Sequence, residues 1–90
     1  YFKIINKKYG FCIDVKGDSY NDGVNLYLNS DNSNLYQKWI ILKNLKSHFK
    51  ILASSSGKSI EVPYSSFNEN EKMILYIPNN TKNQEWILVY

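Results

Sequence analysis

The side chains best equipped for chemistry in this 90-residue sequence are acceptors, amides and rings rather than nucleophiles. In the run Val24-Asn25-Leu26-Tyr27-Leu28-Asn29, successive residues of an extended chain face opposite ways. Val24, Leu26 and Leu28 make an apolar face suited to a core. Asn25, Tyr27 and Asn29 make the other: a ring flanked by two amides, which is the equipment needed to hold a sugar. Asp14, within Cys12-Ile13-Asp14-Val15, shares a strand face with Cys12. A carboxylate at such a half-buried position needs a reason, either a ligand or a turn to cap.

Other candidate chemistries fail on spacing. Ser54-Ser55-Ser56-Gly57 lacks the frame of a nucleophile elbow and reads as a turn. Asp18-Ser19-Tyr20-Asn21-Asp22-Gly23 resembles a calcium loop only faintly. Tyr20 stands where an oxygen ligand is needed, and no Glu follows at the right distance. His48 has no Cys or second His with which to hold a metal. Nothing assembles a nucleophile, a base and an orienting group, so neither an enzyme nor a metal or other cofactor is expected. Cys12 is the only cysteine; it permits no intrachain disulfide and reads as a small buried hydrophobe. Asn79-Asn80-Thr81 is a glycosylation sequon, with meaning only in a eukaryotic secreted protein.

Composition narrows the partners. The net charge of +3 is carried by eleven Lys with no Arg, spread along the chain apart from Lys7-Lys8. Arg is the usual reader of bases and phosphates, so nucleic acid is not expected as a partner. No apolar run approaches the roughly 20 residues of a membrane span, so membrane insertion is not expected either. Hydrophobic content of 43% and aromatic content of 16% are too high for a disordered chain. The sequence opens on Tyr1, which reads as a trimmed or excised chain.

The elements that must position these residues come in two copies. Phe2-Lys3-Ile4 recurs as Phe49-Lys50-Ile51, Gly10 as Gly57, Ile13-Asp14-Val15 as Ile60-Glu61-Val62, and Gln37-Lys38-Trp39 as Gln84-Glu85-Trp86, always 47 positions apart. Leu26-Tyr27 matches Leu75-Tyr76 at an offset of 49, which implies loop-length differences inside the second copy. Alternation, β-branched and aromatic enrichment and turn clusters predict four short strands per copy. They fall near 2–6, 12–15, 24–29 and 37–42, then near 48–53, 59–62, 73–77 and 84–89. No segment sustains a helical period. The chain reads as one all-β domain over 1–90, with repeat one at 1–43 and repeat two at 48–90. Trp39 and Trp86 sit in alternating apolar runs and read as core. Gln37 and Gln84 read as structural, bonding backbone in the turn before the last strand.

A strand, a Gly turn, C-x-D-V, an aromatic hairpin strand and then Q-x-W form a pattern that resembles the repeat of ricin B-type lectins. Here it is written Cys12-Ile13-Asp14-Val15, Val24-Asn25-Leu26-Tyr27 and Tyr36-Gln37-Lys38-Trp39, and again Ser59-Ile60-Glu61-Val62, Ile74-Leu75-Tyr76 and Asn83-Gln84-Glu85-Trp86. The resemblance implies a β-trefoil-type fold with two of the usual three lobes in this chain. The third must then come from another polypeptide, from further copies, or from a longer parent chain. It also implies a carbohydrate site in repeat one. There Asp14 would accept from sugar hydroxyls, Tyr27 would stack beneath the ring, Asn25 would bind a hydroxyl, and Gln37 would hold the Asp. A weaker second site would use Glu61, Tyr76, Asn83 and Gln84. Glu61 adds a methylene and Ile74 replaces an amide. Tyr36 stands where the family often has Asn, which counts against galactose preference. The family's hairpin disulfide would need a second Cys near Asn29.

The resemblance therefore implies a secreted or extracellular lectin module that attaches a larger protein or toxin-like complex to glycans, galactose-type among them. The alternative is a trefoil subunit that has lost sugar binding and serves assembly or inhibition of a partner. Weak single sites would act through multivalency, and unclosed strand edges imply an oligomer or a partner chain.

Overall fold

A computed structural model describes residues 1–63, 71–87 and 89 of the chain. Among the described residues there are six strands: β1 Cys12–Val15, β2 Leu26–Asn29, β3 Trp39–Lys43, β4 Phe49–Ala53, β5 Ser59–Glu61 and β6 Ile74–Tyr76. β1 and β2 form one antiparallel hairpin, and β3-β4-β5-β6 form a four-stranded antiparallel sheet. The 3-10 turns Lys16–Asp18 and Leu35–Gln37 lie between strands, and Lys82–Gln84 follows β6. Gln37 and Gln84 lie in such turns, as read from the sequence, and the strand expected from 37 begins at Trp39.

Eight strands were expected, and the shortfall is at the two ends. Residues 2–6 contribute only the bridges Phe2–Trp39 and Ile5–Cys12, and the final segment contributes only Phe49–Trp86. β3 and β4 instead pair over five residues, from Trp39↔Ala53 to Lys43↔Phe49. The first segment thus meets β3 and β1 at one residue each, and the last meets β4 at one.

The internal symmetry is stricter than the sequence match implied. Gln37 Nε2 donates to the Ser30 carbonyl, and Gln84 Nε2 donates to the Ile77 carbonyl. Asn32 N donates to Gln37 Oε1 as Asn79 N does to Gln84 Oε1. Trp39 Nε1 donates to Ile13 O and Trp86 Nε1 to Ile60 O. Each of these pairs keeps the offset of 47. In repeat one Cys12 pairs with Asn29 and Asp14 with Tyr27; in repeat two Ser59 pairs with Tyr76 and Glu61 with Ile74. Tyr76 is therefore equivalent to Asn29, and Ile74 to Tyr27. The offset of 49 inferred from Leu75-Tyr76 does not hold.

The core is Val15, Trp39, Ala53, Ile60 and Leu75, drawn from both repeats, with Ile4, Ile13, Val24, Leu26, Tyr36, Ile51, Met73 and Trp86 packed against it. Trp39 is fully buried, and Trp86 covers the core from its rim. Leu28, assigned to the core face with Val24 and Leu26, is instead 49% exposed. It lies at the hairpin end, where it helps line an open apolar cavity of about 220 Å³ with Ile13, Leu26, Tyr27 and Met73. The two repeats also meet at their hairpins. Asn25 bridges to Ile74, Leu75 N donates to Val24 O at 3.0 Å, and Gly23 N donates to Leu75 O at 2.8 Å.

Candidate carbohydrate site

β1 and β2 put Asp14 and Tyr27 directly across from one another. Asp14 is 3% exposed. Its Oδ2 accepts from Asn29 Nδ2 at 3.1 Å and from Gln37 Nε2 at 3.1 Å. Its Oδ1 is equally buried and finds no donor among the described residues. Gln37 is fully buried and fully used: the same Nε2 reaches Ser30 O at 2.7 Å, and Oε1 accepts from Asn32 N at 3.1 Å. The Gln thus fastens the carboxylate to the turn that precedes β3, combining the structural and supporting roles read from sequence. Tyr27 remains 41% exposed, and its hydroxyl accepts from Asn29 Nδ2 at 3.2 Å.

Asn25 lies just before β2, where its carbonyl accepts from Lys16 N at 3.0 Å and its backbone bridges Ile74. It is not one of the donors that meet Asp14. That place is taken by Asn29, which lies on the same face as Tyr27 and opposite Cys12. Two sequence signals pointed to Asn29, its alternation with Tyr27 and its position as the absent half of a cystine. Neither indicated a hydrogen bond to the carboxylate.

Around this centre, Tyr36 Oη donates to Tyr20 Oη at 3.1 Å, with the rings 5.9 Å apart. That bond to Tyr20, with burial second, pushes the Tyr36 phenol above its ordinary range. The loop bearing Tyr20 is held from repeat two: Lys58 Nζ pairs with Asp22 at 2.8 Å and donates to the Tyr20 carbonyl. Burial, reinforced by the charge of Asp31, pushes the Cys12 thiol above 9.0. Lys3 pairs with Asp31 at 2.9 Å and holds its carboxyl below the usual range.

Repeat two keeps the scaffold and loses the platform. Glu61 is 6% exposed and accepts from Gln84 Nε2 at 3.0 Å. Ile74, not Tyr76, lies across from it. Tyr76 faces outward opposite Ser59, and the Asn83 amide is spent on Val62 O at 3.0 Å. Of the four residues assigned to a second site, Gln84 touches Glu61, whereas Tyr76 and Asn83 are placed elsewhere.

The family described as ricin-type beta-trefoil lectin domain-like matches residues 1–76. The chain belongs to that family. Its fold is β-trefoil-type with two lobes, and the family consists of lectin-like, typically non-catalytic modules. Among solved structures, the designed three-fold symmetric protein ThreeFoil superposes with a TM-score of 0.95 at 28% identity, over 98% of this chain and 63% of that one. An exo-beta-1,3-galactanase, 1,3Gal43A, from Clostridium thermocellum gives 0.92 at 31% identity, over 97% of this chain and 19% of that one. The cytolethal distending toxin of Haemophilus ducreyi shares the fold, with a TM-score of 0.79 at 19% identity, over 98% of this chain and 52% of that one. This chain thus spans less than two thirds of the first two of these proteins. No curated protein matches it in sequence.

Proposed function

We infer that this chain is a non-catalytic lectin module that attaches a larger secreted protein or complex to glycans, galactose-type sugars among them. The observation that carries the reading is Asp14 Oδ1, a buried carboxylate oxygen without a donor among the described residues, set across the hairpin from an exposed Tyr27. Leaving such an atom unmade costs about 1–3 kcal/mol, so a fold that keeps it needs a compensating ligand. Sugar hydroxyls are donors of the right kind, and the Tyr27 ring offers a face to the sugar's C–H groups. The site comprises Asp14, Asn25, Tyr27 and Gln37, with Asn25 contributing from the flank. Glu61, Tyr76, Asn83 and Gln84 form at most a weaker one.

The similar structures support the setting. They include a galactanase and a toxin, and each is longer than this chain. The open apolar cavity beside Leu28 supports an unfinished core, to which a third lobe would come from a partner polypeptide, another copy or a longer parent chain. The absence of an aromatic ring opposite Glu61 favours a second reading, in which the chain has lost sugar binding and serves assembly or inhibition of a partner. A glycan array with the purified chain decides between them. Binding to pyranosides that Asp14→Ala removes supports the first reading, and a silent array supports the second.

A further inference from the structure

One side chain in repeat one touches both halves of the carbohydrate site. Asn29 Nδ2 donates to Asp14 Oδ2 at 3.1 Å and to Tyr27 Oη at 3.2 Å. A primary amide nitrogen carries two hydrogens, so both bonds form together. The amide's orientation is fixed as well, because Asn29 Oδ1 accepts from Ser30 N at 2.9 Å. Flipping the group would forfeit all three bonds.

The bridge has a chemical consequence. Asp14 Oδ2 already takes Asn29 and Gln37, while Oδ1 takes nothing among the described residues. Tyr27 Oη is used as an acceptor by Asn29, which leaves its own hydrogen to be donated elsewhere. We propose that Asn29 is a positioning residue that sets the hydrogen-bond polarity of this site. It reserves Asp14 Oδ1 as acceptor for one sugar hydroxyl and orients Tyr27 O–H as donor to a neighbouring sugar oxygen. The ligand class is a pyranoside with adjacent oxygens in those two roles, and Tyr27 is both platform and donor. Because Oδ1 is closed to solvent, entry requires a local side-chain shift, for which the exposed Tyr27 lies directly across the strand pair. Repeat two has Tyr76 in place of Asn29 and Ile74 in place of Tyr27, and so cannot form this bridge.

The proposal rests on the glycan reading above, and the test separates the two. Calorimetric titration with lactose, or with the strongest array ligand where that differs, compares the natural chain with Asn29→Ala, Tyr27→Phe and the double variant. Each single change should weaken binding about tenfold, the loss of one well-placed hydrogen bond. The double variant should lose clearly less than the product of the two, because the residues act through a shared bond. Asn29→Asp keeps the size but sets a second carboxylate against Asp14; it should bind more weakly still at neutral pH and recover as acid places a proton between the two. It also keeps the test available should Asn29→Ala fail to fold. Unchanged lactose affinity in Asn29→Ala, or strictly multiplicative losses, would overturn the positioning role alone. A natural chain that binds no glycan would overturn the glycan reading and this proposal with it.

Discussion

Tyr27 and Ile74 occupy equivalent positions, each directly across a hairpin from the carboxylate of its own repeat. The two repeats share backbone, Gln support and Trp anchor, yet only one presents a ring beside its acid. The proposed site is therefore asymmetric on a symmetric frame, and the asymmetry can be tested residue by residue.

Asp14→Ala should abolish glycan binding while leaving a folded chain. Gln37 keeps its bonds to Ser30 O and Asn32 N when the carboxylate is gone, and Asp14 leaves behind no unpaired oxygen of its own. Array binding together with a melting curve checks both halves. Glu61→Ala should leave the array profile unchanged.

The missing platform can be restored. Glu61→Asp combined with Ile74→Tyr places a short carboxylate and a ring in the geometry of repeat one. Calorimetric stoichiometry should rise from one site per chain towards two. A stoichiometry that stays at one, with affinity intact, would show that register alone does not make the site.

Trp39→Ala should cost about 3–5 kcal/mol, as expected for a large ring removed from a fully buried position. That is comparable to the whole stability of a domain this small, so the variant should be largely unfolded by circular dichroism. Trp86→Ala should cost less, since its side chain is only partly buried.

The buried thiol gives a pH signature. Its proton is held more tightly in the folded chain, because burial disfavours the thiolate. The stabilising contribution of the neutral thiol is present below pH 9 and is lost as pH rises through the folded-state value. Chemical denaturation should show a falling alkaline limb that Cys12→Ala flattens. Thiol reagents at pH 8 should label Cys12 only under denaturing conditions.

Substituting Leu28 by Lys should abolish association with whatever covers the apolar cavity, with little effect on the isolated chain, since Leu28 is half exposed there. Light scattering on both proteins checks this. The natural chain should run above its 10.6 kDa mass and the variant at it.

Most of the fold was legible because duplication repeats the evidence: a Gln-x-Trp or a Gly turn seen twice at one spacing is hard to produce by chance. Tyr76 was misaligned for a specific reason. Leu75-Tyr76 copies the letters of Leu26-Tyr27, but register is set by backbone pairing, and that puts Ile74 across from Glu61. Leu28 was expected in the core from its alternation yet is half exposed at the edge of an open cavity, because alternation tells which way a side chain points and not how fully it is covered. Asn29 was visible on the face of Tyr27 and as a gap in a disulfide, but its bond to the carboxylate was not, since a side-chain amide bridging two strands leaves no periodic trace.

The best-paired strands in the molecule, β3 and β4, come one from each repeat, joined through a tight turn in which Asn44 Oδ1 accepts from Lys46 N and His48 N. The unit of duplication and the unit of cooperative folding are thus out of phase. A gene fragment encoding a single repeat would deliver half of this hairpin and should remain a random coil. A circular permutant opened between Asn44 and Ser47 would sever the seam, even though that cut falls at the tidiest boundary the sequence offers.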